Sequence, residues 1–260
     1  AEGDPTRVQE FVRSLRGHQI EVEALTADVT AEGKTFKAGE AIAIPLDQPQ
    51  ATYLETLWRE QLEFEENIFY DVSTWTLPWA FNLSHTRDAV TNAKTEAMSS
   101  PVDNDESKLG QSAIGYLIDW RDSASPALLY DLLEAGANVR VATAPFTALT
   151  TTEGSVNFGY GTLFVAPKLQ ESIPQPVLSL LAEAHAEGLA IYPAASSYTP
   201  EGIDLGSRAF DVLSLPKVLM ITGPGTSAYG TGEIWHLLDR RLDMPLTMVD
   251  SNRLSRINLD

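Results

Sequence analysis

The sequence predicts an internally duplicated α/β protein with mainly parallel sheets, and three observations carry that prediction. Strand-like and helix-like patterns alternate along most of the 260 residues. One order of elements occurs twice, and a glycine-rich strand-to-helix turn lies near the C-terminal end. Alternating strands and helices are the usual sequence sign of β-α-β units.

Val8, Phe11, Val12 and Leu15 fall at helical spacing and run into Gly17, a C-terminal stop. Ile20, Val22 and Ala24 then alternate with polar residues, as a half-buried strand does. Phe36 to Pro45 reads as a hairpin arm with Gly33 and Gly39 as turn residues. Ala51 to Phe64 is helical, with Tyr53, Leu54, Leu57, Trp58 and Leu62 on one face. Ile68 to Leu83 is rich in aromatic residues, which suit either a docking surface or a packed core.

From Thr91 the composition turns polar, and residues 98–110 read as a linker or long surface loop. The first α/β unit is therefore placed at 1–97 and the second at 111–260. Within the second, strands are predicted at 113–120, 139–142, 163–166, 189–192, 217–222 and 246–249. Helices are predicted at 127–135, 177–186 and 232–241.

The repeat is visible in particular residues. Phe36, Gly39 and Pro45 match Phe158, Gly161 and Pro167 at an offset of 122, and Tyr70 and Pro78 match Tyr192 and Pro200 at the same offset. Gly17 to Val22 parallels Gly136 to Val141 at an offset of 119. The shared residues are Phe, Gly and Pro, which build turns and packing anchors rather than chemistry.

Composition narrows the function. With 18 basic against 36 acidic residues the net charge is −18, which opposes nucleic acid and anionic lipid. Hydrophobic content of 43% is that of a globular chain. No apolar run approaches the roughly 18 residues of a membrane span. Ala1 to Pro5 lacks the basic and apolar regions of a signal peptide, as a mature exported chain would too. The absence of cysteine removes disulfides, thiol nucleophiles and thiolate metal sites.

The sharpest motif is the apolar run Lys217 to Thr222 followed by Gly223-Pro224-Gly225-Thr226-Ser227-Ala228. A strand running into G-x-G-x-x-A and a helix resembles the start of a dinucleotide site, and Asp250 stands where a ribose-binding acid would. Pro224 inside the fingerprint, and Gly230 and Gly232 delaying the helix, favour a plain turn. Candidate ligand-binding residues are Gly223, Gly225, Thr226, Ser227, Tyr229 and Gly230. The loop fails as a P-loop, because Thr231 and Gly232 replace the required Lys and Ser/Thr.

His18-x-x-Glu21 has zinc-ligand spacing, but it lies at a helix-to-strand junction, and His85, His185 and His236 sit in no ligand-like context. No G-x-S-x-G elbow is present; Gly206-Ser207-Arg208 follows a loop. Asp122 or Ser123 reads as a cap for the helix beginning near Pro126.

Phe36-x-x-Gly39, Ile44-Pro45-x-x-Gln48-Pro49 and Phe69-Tyr70-Asp71-Val72-Ser73-x-Trp75-Thr76-Leu77-Pro78 resemble the region after the catalytic domain of large bacterial M14-family zinc carboxypeptidases. Asp204 to Ser207, Pro216-Lys217-Val218, Gly223-x-Gly225 and Gly230-x-Gly232-Glu233-x-Trp235-His236-x-x-Asp239 extend the likeness. The resemblance implies that the last section begins a class I glutamine-amidotransferase-like, flavodoxin-like unit, with Leu259-Asp260 just before another strand. It also implies a periplasmic or secreted location. Zinc would belong to the parent's peptidase domain, which is also the implied partner, and no cofactor is implied in this segment. No part of the chain matches the peptidase zinc set, and the amidotransferase likeness lacks its cysteine nucleophile. Two functions follow as expectations: a non-catalytic accessory region, or a small-molecule or anion-binding module using the Gly223–Gly232 loop.

Overall fold

A computed structural model describes residues 4–60, 76–87, 92–98, 109–166 and 175–258. Phe69, Tyr70, Trp75, Pro167 and residues 99–108 of the expected linker lie outside the described residues. The chain divides into two units, Ala1–Asp103 and Asn104–Asp260.

In the first unit, helix α1 (Pro5–Gly17) starts where Asp4 accepts the Arg7 backbone N–H at 3.0 Å, with proline at the first helical position. Phe11, Val12 and Leu15 face the core. Gln19, at φ 61°, turns the chain into strand β1 (Glu23–Leu25). A hairpin follows, β2 (Val29–Ala31) and β3 (Lys34–Phe36), with Glu32 and Gly33 both at positive φ as a tight two-residue turn requires. Strand β4 (Ile42–Ala43), helix α2 (Ala51–Leu57), helix α3 (Leu77–Ala80) and strand β5 (Thr95–Ala97) complete it. The sheet order is β4-β1-β5, antiparallel throughout. Phe11 meets Trp58 and Phe81 edge-on at 5.7 and 5.3 Å.

In the second unit the order is β6 (Tyr116–Ile118), α4 (Ser125–Glu134), β7 (Val139–Ala142), β8 (Phe146–Thr150), β9 (Gly154–Phe158), β10 (Leu163–Val165), α5 (Gln175–Ala186), β11 (Ile191–Pro193), β12 (Glu201–Gly202) and β13 (Phe210–Val212). These form a five-stranded sheet, β11-β6-β10-β7-β13, and a smaller one, β12-β8-β9. Val139, Leu163 and Ile191 pack with α4 and α5, while Leu117, Phe164 and Phe210 pack against Phe146 and Phe158 of the hairpin. The sheet is therefore covered on both faces.

The expectation of mainly parallel sheets is wrong. Every pairing of the five-stranded sheet is antiparallel. The helix between β6 and β7 does not join neighbours, because β10 lies between them; likewise β6 lies between β10 and β11. Two interleaved split β-α-β units result, the ferredoxin-like plan. Split and unsplit units have the same alternation in sequence, so periodicity alone could not separate them.

The only parallel pair among the described residues is β14 (Leu219–Thr222) with β15 (Thr247–Asp250), joined through α6 (Ala228–Trp235) and a π-helical turn, His236–Arg241. A 3-10 helix, Ser251–Arg256, follows. The helix begins four residues before the predicted Gly232 because the Ser227 hydroxyl caps it, accepting from Gly230 N–H at 3.3 Å. Two parallel strands make no flavodoxin-like sheet.

One set of hydrogen bonds recurs in both units. Gln19 and Ile20 N–H donate to Arg16 and Leu15 carbonyls, as Gly136 and Ala137 donate to Leu133 and Leu132. Thr26 N–H donates to Lys94 O at 2.9 Å, and Thr143 N–H to Ala209 O at 3.0 Å. Gly39 N–H donates to Leu25 O at 3.0 Å, and Gly161 N–H to Ala142 O at 2.9 Å. Helix and strand thus correspond at an offset of 117, not 119. The left-handed residue after the helix is Gln19 in one unit and Gly136 in the other, so aligning glycine with glycine misplaced the match by two. Gly39 and Gly161 do correspond, at φ 76° and 83°. Pro78 and Pro200 do not, since Pro78 lies in α3 and Pro200 in the loop before β12.

Candidate functional site

The glycine-rich loop leaves the end of β14 and enters α6. Gly223 and Gly225 hold φ 89° and 90°, values that favour glycine. Thr226 closes the turn, its N–H and Oγ1 donating to Gly223 O at 3.1 and 2.8 Å. Ser251 Oγ donates to Pro224 O at 2.8 Å from the far side of β15. A cavity of about 360 Å³ opens between α6 and the strands. Trp235 and Met248 supply its apolar wall, Thr222, Thr226 and Thr231 its hydroxyls, and Gly223, Ala228 and Gly232 leave the room.

Of the predicted ligand residues, Gly223 and Thr226 line the cavity. Gly225, Ser227, Tyr229 and Gly230 do not; Tyr229 is 88% exposed. Sequence reasoning missed Thr222, Thr231, Trp235 and Met248, and only the β-α-β crossover that puts α6 over the strands identifies them. The lining carries no cationic side chain. Asp250 stands at the end of β15 as expected, but a Cβ on Gly223 would meet its Oδ2 at 2.8 Å. The carboxylate occupies the space that a side chain at position 223 would take, so the glycine has a structural reason.

The other candidates are engaged in scaffolding. His18 packs edge-on against Tyr53 at 5.1 Å. His85 lies 3.6 Å from Glu60, and His185 Nδ1 lies 3.3 Å from Leu189 O. Among the described residues no three His, Asp or Glu side chains converge as a metal site. Asp119 is held by Arg121, Nη2 to Oδ2 at 2.6 Å. Asp122 Oδ1 accepts Ala124 N–H at 2.9 Å, making the turn before α4 rather than the helix cap itself. Ser207 Oγ accepts Ala209 N–H, so it is a turn residue. Burial, with Glu153 and Asp119 nearby, raises the Tyr192 phenol above its ordinary value. Burial first, then Asp243 and Glu134, raises the Asp131 carboxyl.

No known family, no curated protein and no solved structure matches the chain.

Proposed function

We propose that this chain is a duplicated, non-catalytic accessory scaffold of an exported M14-like zinc metallocarboxypeptidase, packing on the peptidase domain or shaping substrate access. The observation that carries the reading is how the residues of the family-like motifs are used. Gln48 accepts Glu21 N–H at 2.8 Å and donates to the Pro45 carbonyl, tying the loop after β4 to the stretch before β1. Gly39 takes a left-handed turn. Asp204 Oδ1 accepts from Thr199 N and Oγ1 at 3.3 and 3.0 Å. Each of these polar groups is engaged with the chain's own atoms, as a scaffold requires. The zinc and the hydrolysis belong, on this reading, to the parent's peptidase domain.

The test is to compare the peptidase domain with and without this region. Association, or a change in kcat/KM or thermal stability, supports the proposal. An unaltered, non-associating peptidase domain refutes it, as would zinc-dependent carboxypeptidase activity of the 260 residues alone.

A second reading is favoured by the cavity beside Gly223. Its hydroxyls and Trp235 suit a small uncharged or planar molecule better than an anion, since Asp250 and the absence of cationic lining oppose negative charge. A thermal-shift screen tests it: stabilisation by anions and nucleotides alone would reverse the preference, and stabilisation by nothing would remove the reading.

A further inference from the structure

The register of β14 and β15 fixes which groups share the cavity beside Gly223. Thr222 pairs with Asp250 and Met220 with Met248. Side chains alternate along a strand, and partners across a ladder share a face. Met220, Thr222, Met248 and Asp250 therefore stand on one face of the pair. Thr222 and Met248 line the cavity together with Ala228 and Trp235 of α6. Asp250 stands on that same face, its Oδ2 on the side of Gly223 where a Cβ would lie.

The polar side chains there are acceptors. Thr226 Oγ1 donates to Gly223 O at 2.8 Å, and Thr222 Oγ1 donates to Val249 O at 3.4 Å. With their protons committed to the chain, both oxygens turn only lone pairs to the cavity. Asp250 Oδ1 accepts Asn252 N–H at 2.9 Å. No Lys or Arg forms an ion pair with Asp250 among the described residues. Trp235 adds an indole, whose ring face attracts cations through its quadrupole. The net charge of −18 further concentrates cations around the chain.

We propose that this cavity binds a small organic cation with a methylated ammonium head, a narrowing that rests on the small-molecule reading of the cavity and not on the peptidase reading. The head lies between the Asp250 carboxylate and the Trp235 indole. Methyl groups spread the positive charge and pack on Met248 and Ala228, so the head gives up less hydration than a compact, strongly hydrated ammonium would. A hydroxyl or N–H elsewhere on the same molecule donates to Thr222 and Thr226. A carboxylate or phosphate finds no side-chain cation in the lining and meets Asp250 instead.

Choline and the neutral alcohol in which carbon replaces its nitrogen have the same shape and differ in charge. Calorimetric titration of each into the 260-residue chain isolates the contribution of the cation. Choline should bind at least about tenfold more tightly than the alcohol. It should shift the Trp235 indole N–H resonance, and added salt should weaken choline alone. Asp250→Asn and Trp235→Leu should each cut the preference to about threefold or less. The comparison of the two ligands on the unaltered chain holds even where a variant fails to fold. Equal or tighter binding of the alcohol overturns the proposal and leaves a neutral-ligand cavity standing. Binding of neither also overturns it, and the thermal-shift screen then decides the broader reading on its own. A choline preference that shifts other indoles but not Trp235, or that survives both substitutions, overturns the site.

Discussion

Gly39→Ala and Gly161→Ala place one change at corresponding turns, and the structure makes them unequal. Both glycines sit at positive φ, 76° and 83°, where an alanine costs about 1–2 kcal/mol through its Cβ. At Gly39 nothing lies within 4 Å of that Cβ, so the backbone term stands alone. At Gly161 the Cβ would lie 3.0 Å from Cδ1 and Cγ of Trp120. Carbon contacts are comfortable at about 3.5–4.0 Å, so the indole must retreat. Over-packing of this kind costs roughly 1–3 kcal/mol. Trp120 is 40% exposed and has a route outward, which favours the lower half of that range. Gly161→Ala should therefore cost about 1–2 kcal/mol more than Gly39→Ala. Urea unfolding, with hydrogen exchange at core amides assigning each loss to its own unit, measures the difference. In a Trp120→Ala background the excess should disappear. An excess that survives removal of the indole, or Gly161→Ala costing no more than Gly39→Ala, refutes the reasoning.

Leu132 is 0% exposed among Val139, Leu163 and Leu181; Leu132→Ala should destabilise the second unit by about 3 kcal/mol through lost transfer and cavity terms, read by exchange at Val139. The Asp131 carboxyl is raised by burial, Asp243 and Glu134. Its folded form thus holds a proton more tightly than the unfolded chain, so this contribution to stability is full at acid pH and is lost as pH rises through the folded value. Asp131→Asn should accordingly stabilise at pH 7 by no more than about 0.5 kcal/mol, given its partial exposure, and the gain should vanish near pH 3 in denaturation curves. Gly223→Ala would press on Asp250 at 2.8 Å; exchange at Thr226, whose N–H is held by Gly223 O, should quicken at least about tenfold, and Asp250→Ala should restore part of the loss.

Local pattern was legible where burial and propensity agree. Strand β7 is found at Val139–Ala142 as predicted, and Gly136 closes α4 at φ 79°. The β8–β9 hairpin was not legible, because its inward face includes Thr147 and Thr150. Their hydroxyls are satisfied by Asn157 Oδ1 at 2.8 Å and Gly154 O at 3.1 Å, partners that exist only once the hairpin forms. In α6, Gly230 and Gly232 argued for a late start on propensity, and the Ser227 cap outweighed them. The site was half legible. Its glycine loop is contiguous, but Met248 joins the lining from a strand beyond the crossover, and no motif spacing links it to Gly223.

The position of β10 bears on how the second unit is made. It separates β6 from β7, so neither earlier strand has its central neighbour until residue 165 has left the ribosome. A nascent chain ending at Gly154 would hold β6, α4, β7 and β8 of the second unit and no pairing between β6 and β7. Assembly should then wait and close in one step, the behaviour of a fold dominated by non-local contacts. Nested truncations ending before and after β10 would separate a chain without stable sheet amides from one that has begun to protect them.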